Sequence, residues 1–129
     1  MKFEHDIADL ANDLVAVRRK ARADLDDVVK DGIRVGNAVA KDNARRSSGT
    51  HARKYPGAFS AEMHRGKGLF GNVTSGEYGP RASGQGLLAN ILENGSRNNP
   101  PHLDLARSAD LIGPAMAREV REKSEGWFW

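Results

Sequence analysis

A long helical pattern at the N-terminal end constrains this chain more than any other feature. Apolar side chains recur at steps of three and four residues across 5–46, which predicts one continuous face of an α-helix. They are Ile7, Leu10, Leu14, Val17, Ala21, Leu25, Val28, Ile33 and Val39. Such a helix is long for 129 residues, so we also consider two helices with a joint near 18–23. Gly32 and Gly36 each lower helix stability by about 1 kcal/mol relative to alanine, which indicates close packing or a break.

A different periodicity follows in the β region, residues 55–79. The stretch "AFSAEMH" alternates loosely between apolar and polar residues, and "LFGNVTSGEYG" is a candidate β segment broken by glycines. This pattern predicts two to four short antiparallel strands. Turn signals at Pro56-Gly57, at 66–68 and at Ser75-Gly76 separate the expected strands.

The C-terminal third returns to a helical pattern. Residues 87–94 predict a short helix that Gly95 closes as a C-terminal cap. A proline loop then leads to a helix over 103–124, in which Pro114 either introduces a kink or begins a second helix. An aromatic tail, residues 125–129, ends the chain.

These regions together predict one α+β domain over residues 1–129. Its parts are a helical N-terminal region (1–46), the β region (55–79), the segment with the short helix, proline loop and C-terminal helix (87–124), and the tail (125–129). The expected architecture places the long N-terminal helix and the C-terminal helix on one face of a small antiparallel β-sheet, which is a common way to bury one side of a sheet.

Composition and charge argue against several classes of protein. The 20 basic and 17 acidic residues give a net charge of only +3 and are interspersed, which is unlike a dedicated polyanion binder. The absence of cysteine excludes disulfides and thiolate metal sites. No window approaches the roughly 20 apolar residues that a membrane span needs. The first residues carry acids and lack an apolar segment, so we expect no signal peptide and no membrane partner.

The motifs for cofactor, metal and catalytic chemistry are weak. Residues 66–71, "GKGLFG", match a dinucleotide-binding pattern, but no helix follows them, so a glycine-rich hairpin is the better interpretation. The histidines, His5, His51, His64 and His102, lack the spacing of metal ligands. No nucleophile elbow is present. From these motifs we expect no cofactor, no metal and no catalytic residue.

Two alternative functions stay open at this point. Basic clusters at 18–22 and 45–54 favour a nucleic-acid-binding protein, although aromatic residues for base stacking are absent near them. Glu93 and His102 together would suit a small hydrolase in which Glu93 acts as the general base.

The stretch "ILENGSRNNPPH" (91–102) has a third interpretation, as a docking loop. Two prolines fix φ and restrict the unfolded chain, so such a loop loses little conformational entropy when it binds. Glu93 would cap backbone groups or pair with Arg97, and the tail aromatics would either fold back or dock on a partner. The candidate interface residues are Glu93, Gly95, Arg97, Asn98, Pro100, Pro101, Trp127, Phe128 and Trp129.

The order of these features is also that of a known family. A helix ending in "VAKDNARRSS" precedes "GAFSAEM" and "EYGP", and then comes "LANILENGSRNNPPHLDLARSAD". The chain resembles the minor tail component family of long-tailed double-stranded DNA phages and prophages, also called tail-completion or head–tail joining (neck) proteins. The matching positions are Leu88, Ala89, Ile91, Leu92, Glu93, Gly95, Ser96, Pro100, Pro101, His102, Leu103 and Ala106. Asn94 departs from the family, which has an aromatic residue there.

The resemblance implies a structural, non-catalytic virion protein at the head–tail junction. Proteins of this family form rings, commonly hexameric, through contacts between copies. The implied partners are further copies of the chain and tail-tube, tail-terminator or head-connector proteins, with DNA passing through the ring without sequence-specific binding. The implied localisation is the virion, after synthesis in the cytoplasm of the bacterial host.

Overall fold

The computed structural model describes residues 3–68 and 71–128 and shows an α+β fold, as predicted. Helix α1 spans Phe3–Ser47, helix α2 spans Ala89–Asn94 and helix α3 spans Asp104–Ser124. Strands β1 (Phe59–Gly68) and β2 (Gly71–Pro80) form the sheet. Short 3₁₀ turns connect these elements at Thr50–Ala52, Tyr55–Ala58 and Gly84–Leu88.

Helix α1 is continuous over 45 residues, so the alternative with a joint near 18–23 is wrong. Its two interior glycines lie where other elements approach the helix. A Cβ on Gly36 would lie 2.6 Å from Cε1 of Tyr78, and one on Gly32 would lie 2.5 Å from Sδ of Met116. Close packing therefore explains both glycines, because β2 and α3 press against α1 at these positions.

The sheet is a single hairpin. Its strands pair antiparallel from Phe59 opposite Pro80 to Gly68 opposite Gly71. The predicted break at Ser75-Gly76 is wrong, since both residues lie inside β2. Gly76 instead permits close approach, because a Cβ there would lie 2.5 Å from Cγ2 of Ile33 on α1. The turn predicted at 66–68 also comes too early, because β1 extends to Gly68.

Helix α3 packs on α1 and is linked to the hairpin. The Ser108 hydroxyl donates a hydrogen bond to the Leu105 carbonyl oxygen (2.6 Å). Its oxygen therefore accepts the bond of 2.8 Å that it shares with the Tyr78 hydroxyl. The helix passes through Pro114 without ending, so this proline does not begin a second helix. No helix in the described part of the chain is long and apolar enough to cross a membrane.

The hydrophobic core lies at the C-terminal end of α1. Its buried members come from α1, the 3₁₀ turns and the start of β1; they are Ala40, Ala44, Ala52, Tyr55 and Phe59. The rings of Tyr55 and Phe59 meet edge to face with centroids 5.1 Å apart, a favoured aromatic arrangement. The proline loop packs next to this core, because Leu92 and Leu105 on either side of the loop contact it.

The other end of α1 lies outside the core. Every side chain from residue 7 to residue 16 is exposed. Ile7, Leu10 and Leu14 retain more than half of their accessible surface (53%, 58% and 57%). We call residues 7–22 the N-terminal arm. Its apolar residues continue the periodicity that predicted the helix, but the described part of the chain leaves Ile7, Leu10 and Leu14 uncovered.

The two crowded glycines of α1 should respond differently to alanine. Gly36→Ala is expected to lower the free energy of unfolding by about 1–3 kcal/mol, because the Tyr78 ring is held by its bond to Ser108 and cannot move aside. Gly32→Ala should cost less, because the flexible Met116 side chain can adjust. Urea unfolding followed by circular dichroism measures both. Equal stability losses would contradict this account of the packing.

Candidate functional site

The loop between α2 and α3 forms a tight, exposed turn, which we call the proline corner (residues 95–101). Gly95 closes α2 as predicted, with φ +80° and an N–H bond to the Ile91 carbonyl (2.8 Å). Ser96 and Asn99 exchange backbone hydrogen bonds of 2.8 and 3.2 Å across the turn. A side chain at residue 95 would collide with the backbone nitrogen of Pro101, 2.8 Å from an added Cβ, so only glycine fits there.

Glu93 fixes the corner to α3. Its carboxylate accepts hydrogen bonds from the backbone N–H groups of Leu105 (3.0 Å) and Ala106 (2.9 Å). These are unpaired donors of the first helical turn, where a negative charge also interacts favourably with the helix dipole. Glu93 therefore caps the backbone of α3, which is the first of its two expected roles. It does not pair with Arg97, which was the second.

Backbone bonds fasten the far side of the corner to α2. The N–H of His102 bonds the carbonyl of Leu92 (2.8 Å), and the N–H of Leu103 bonds the carbonyl of Glu93 (3.3 Å). Leu103 adopts the left-handed conformation, with φ 55°, which non-glycine residues seldom adopt. The corner is thus held at both ends while residues 96–101 remain exposed.

The structure brings the predicted corner residues together but keeps the aromatic tail apart. Arg97, Asn98, Pro100 and Pro101 share one exposed turn. The tail lies beyond the opposite end of α3, about 30 Å away along a helix of 21 residues. A docking surface that combines both would therefore need two copies of the chain.

Trp127 anchors the tail to α1. Its indole N–H donates a hydrogen bond to Oδ2 of Asp24 (2.6 Å), and its ring is half-buried. At Trp127 the tail therefore follows the first of its two expected arrangements, in which it folds back onto the protein. Phe128 remains 62% exposed, and Trp129 lies outside the described residues. Three tail aromatics were predicted to contact a partner. Among those that the structure describes, Phe128 is the more accessible one.

A buried polar cluster next to the corner was not foreseen from the sequence. Asp104 is 1% exposed, and the Ser47 hydroxyl lies 2.9 Å from both of its carboxylate oxygens. Asn43 donates a further bond to the Asp104 carbonyl (3.2 Å). Burial raises the pKa of Asp104, while the bond from Ser47 and the charge of His102 act in the opposite direction. The partners are 57 and 61 residues apart, so no local motif could have indicated them.

Tyr55 lies beside this cluster. It is fully buried, and its hydroxyl has no hydrogen-bond partner among the described residues. Burial raises its pKa to about 12, and the negative charges of Asp104 and Glu93 act in the same direction.

The cluster contains serine, histidine and aspartate, but their hydrogen bonds are not those of a catalytic triad. Ser47 donates to Asp104, whereas a serine nucleophile needs a bond to histidine. Nδ1 of His102 lies 3.9 Å from the Asp104 carboxylate, too far for a hydrogen bond. Both oxygens of Glu93 are engaged by α3, so neither is placed to act as a general base. The described residues here present no paired nucleophile and base.

The outer face of the hairpin carries three groups that can ligate a metal. Register places Glu62 directly opposite Glu77, and Nε2 of His64 lies 2.7 Å from Oε1 of Glu77 and 4.0 Å from Oε2 of Glu62. All three are exposed, and their ligand atoms lie within 4.8 Å of one another. Sequence spacing missed them because the strand register was unknown. The hydrogen bond between His64 and Glu77 explains this grouping as well as a cation does.

The two basic clusters form separate surfaces. Residues 18–22 and Arg45 are roughly 35 Å apart along α1. At the first, Arg22 borders a cleft with Arg65 and Lys67. At the second, Arg45 and Arg53 line a cleft, while Arg46 pairs with Asp42 at 2.6 Å. The clusters therefore do not make one continuous basic patch.

Comparisons with known proteins return no matching family model, no matching curated protein and no matching solved structure.

Replacing the cap tests how firmly the corner is held. Glu93→Ala should lower the free energy of unfolding by about 2 kcal/mol, because two charge-assisted bonds to α3 are lost. Glu93→Gln should cost less, because the amide oxygen can still accept one bond. Chemical unfolding measures the loss, and amide exchange at Leu105 and Ala106 locates it. Unchanged exchange at both amides would show that Glu93 is not the cap.

Tyr55 gives a prediction in the alkaline range. A raised pKa in the folded state contributes stability that is complete below pH 10 and is lost as the pH rises toward 12. The wild type should therefore lose up to about 1.4 kcal/mol per pH unit more than Tyr55→Phe in this window. At pH 7 the variant should be as stable or more so, because a buried unpaired hydroxyl is removed. Unfolding curves at pH 7, 10 and 11 test this, and parallel losses in both proteins would refute it.

Proposed function

We propose that the chain is a non-catalytic structural protein of the head–tail junction of a long-tailed phage, in which the proline corner docks on a partner. The resemblance of residues 85–110 to tail-completion proteins motivates this proposal. The observation that carries it is geometric. Glu93 clamps the corner to α3 while residues 96–101 stay exposed.

The corner has the physical properties of a docking element. A surface that is rigid before binding loses less conformational entropy in the complex, and glycine, two prolines and the cap provide that rigidity here. Arg97 presents a charge and Asn98 an amide at the tip, and Arg97 makes no ion pair within the described part of the chain. A neighbour with carboxylates or backbone carbonyls would complement them.

The proposed assembly is a ring of identical copies, commonly hexameric in the family. A ring needs a contact between two different surfaces that closes by rotation. The corner would supply one surface, and the partners along the axis would be tail-tube, tail-terminator or head-connector proteins. DNA would pass through the opening without base-specific contacts, consistent with the mild net charge of +3.

Nucleic-acid binding is the second candidate, because Arg45 and Arg53 line one cleft with Ser48 and Thr50. Phosphate contacts would weaken steeply with salt. A gel shift between 50 and 200 mM salt, using wild type and Arg45→Ala/Arg53→Ala, separates the candidates. Strong binding that depends on these arginines would favour this function over the assembly role.

Loss of the gene tests the assembly role directly in the phage or prophage that encodes the chain. Electron microscopy of particles made without it should show normal heads and normal tails that fail to join. Intact infectious particles would refute the proposal.

Changes at the tip of the corner test the docking surface. Arg97→Ala/Asn98→Ala should leave the free energy of unfolding within about 0.5 kcal/mol of wild type, because both side chains are exposed. It should nevertheless fail to restore joined particles in a complementation assay. Arg118→Ala, which removes the same charge from an exposed position on α3, should restore them. Full complementation by the double variant would exclude the corner as the docking surface.

A further inference from the structure

The N-terminal arm carries an apolar stripe with the spacing of a coiled coil. Ile7, Leu10, Leu14, Val17 and Ala21 follow one another at alternating steps of three and four residues. This is the seven-residue repeat with apolar residues at its a and d positions, which packs two helices side by side. We call these five residues the seam. Its first three members are more than half exposed and its last two are half-buried, so the described part of the chain leaves most of the seam accessible.

The charges of residues 4–22 are divided between two halves. Residues 4–13 contain four acidic residues and no lysine or arginine, and residues 18–22 contain four basic residues and no acid. The acids are Glu4, Asp6, Asp9 and Asp13, and the bases are Arg18, Arg19, Lys20 and Arg22. A second helix of the same sequence is therefore complementary in charge only when it runs in the opposite direction.

We propose that the N-terminal arm pairs antiparallel with the arm of a second copy of this chain. The seam fixes the register, because an a position of one helix must face a d position of the other. Leu10 then packs against Leu14 of the second copy, and Ile7 packs against Val17. A two-fold axis passes between the helices near residue 12, so both copies make the same contacts.

The positions that flank the seam support this direction. In this register Arg18 lies across from position 4 of the second copy, and Lys20 lies across from position 6, which are Glu4 and Asp6 in the sequence. Asp13 is the exception, because it faces the like charge of Asp13 of the second copy at the two-fold axis. A parallel pair would instead set the acidic halves side by side and the basic halves side by side, which is unfavourable.

The pairing does not depend on the head–tail proposal. An isologous contact closes with two copies and cannot by itself build a ring. Disruption of the arm should therefore abolish the dimer without changing the proline corner. Loss of head–tail joining in corner variants should conversely leave the dimer intact.

Two neighbouring residues provide a matched test of the seam. Leu14 and Val15 are equally exposed on the arm (57% and 58%), but only Leu14 lies on the seam. Leu14→Asp should weaken the dimer roughly a hundredfold or more, since each dimer loses two apolar contacts, whereas Val15→Asp should leave it unchanged. Sedimentation equilibrium over a range of concentrations measures the dissociation constant, and circular dichroism verifies that both variants fold.

The direction of pairing is tested by cross-linking, which is simple because the chain has no cysteine. Asp13→Cys should cross-link to itself with a short bis-maleimide, because the antiparallel register brings the two copies of residue 13 together. Asn12→Cys, on the outer side of the helix, should cross-link far less. A monomeric wild type, equal effects of the two aspartate substitutions, or equal cross-linking at residues 12 and 13 would each overturn the proposal.

Discussion

The fold depends on the hydrogen bonds that join the end of α1 to the beginning of α3. Ser47 and Asn43 hold Asp104, the first residue of α3, through its side chain and its carbonyl. A buried carboxylate is costly unless polar groups satisfy it, so this contact allows few alternative arrangements of the two helices. Glu93 reaches the same helix start from the other side. The position of the proline corner relative to the core follows from these two carboxylates.

Local periodicity was sufficient to predict the elements. The three- and four-residue spacing indicated α1 and α3, and the glycine-broken alternation indicated the β region. Gly95 was identified because its role involves near neighbours in the sequence. For Glu93 the sequence left two roles open, because the amides that it caps lie 12 and 13 residues away. The hairpin turn and the continuity of α1 were harder, since glycine signals both a turn and a close contact. Gly36 and Gly76 belong to the second kind, which only the packed structure distinguishes.

The contacts that hold distant segments together could not be predicted in this way. Ser47 with Asp104 and Trp127 with Asp24 join residues that are 57 and 103 positions apart. No spacing rule connects such pairs, because each depends on how whole helices pack. The grouping of Glu62, His64 and Glu77 likewise required the register of two strands. The turn at the proline corner, by contrast, was expected from the sequence, because Gly95 and the two prolines give it a strong local signature.

The attachment of the tail to α1 has a consequence for spectroscopy. Both tryptophans of the chain, Trp127 and Trp129, lie within its last three residues. Light absorbed at the red edge of the near-ultraviolet band is therefore collected almost entirely by the tail, and the emission reports on its surroundings. Of the two tryptophans, Trp127 is an intrinsic fluorophore at a known place, beside Asp24, where the covered part of α1 gives way to the arm.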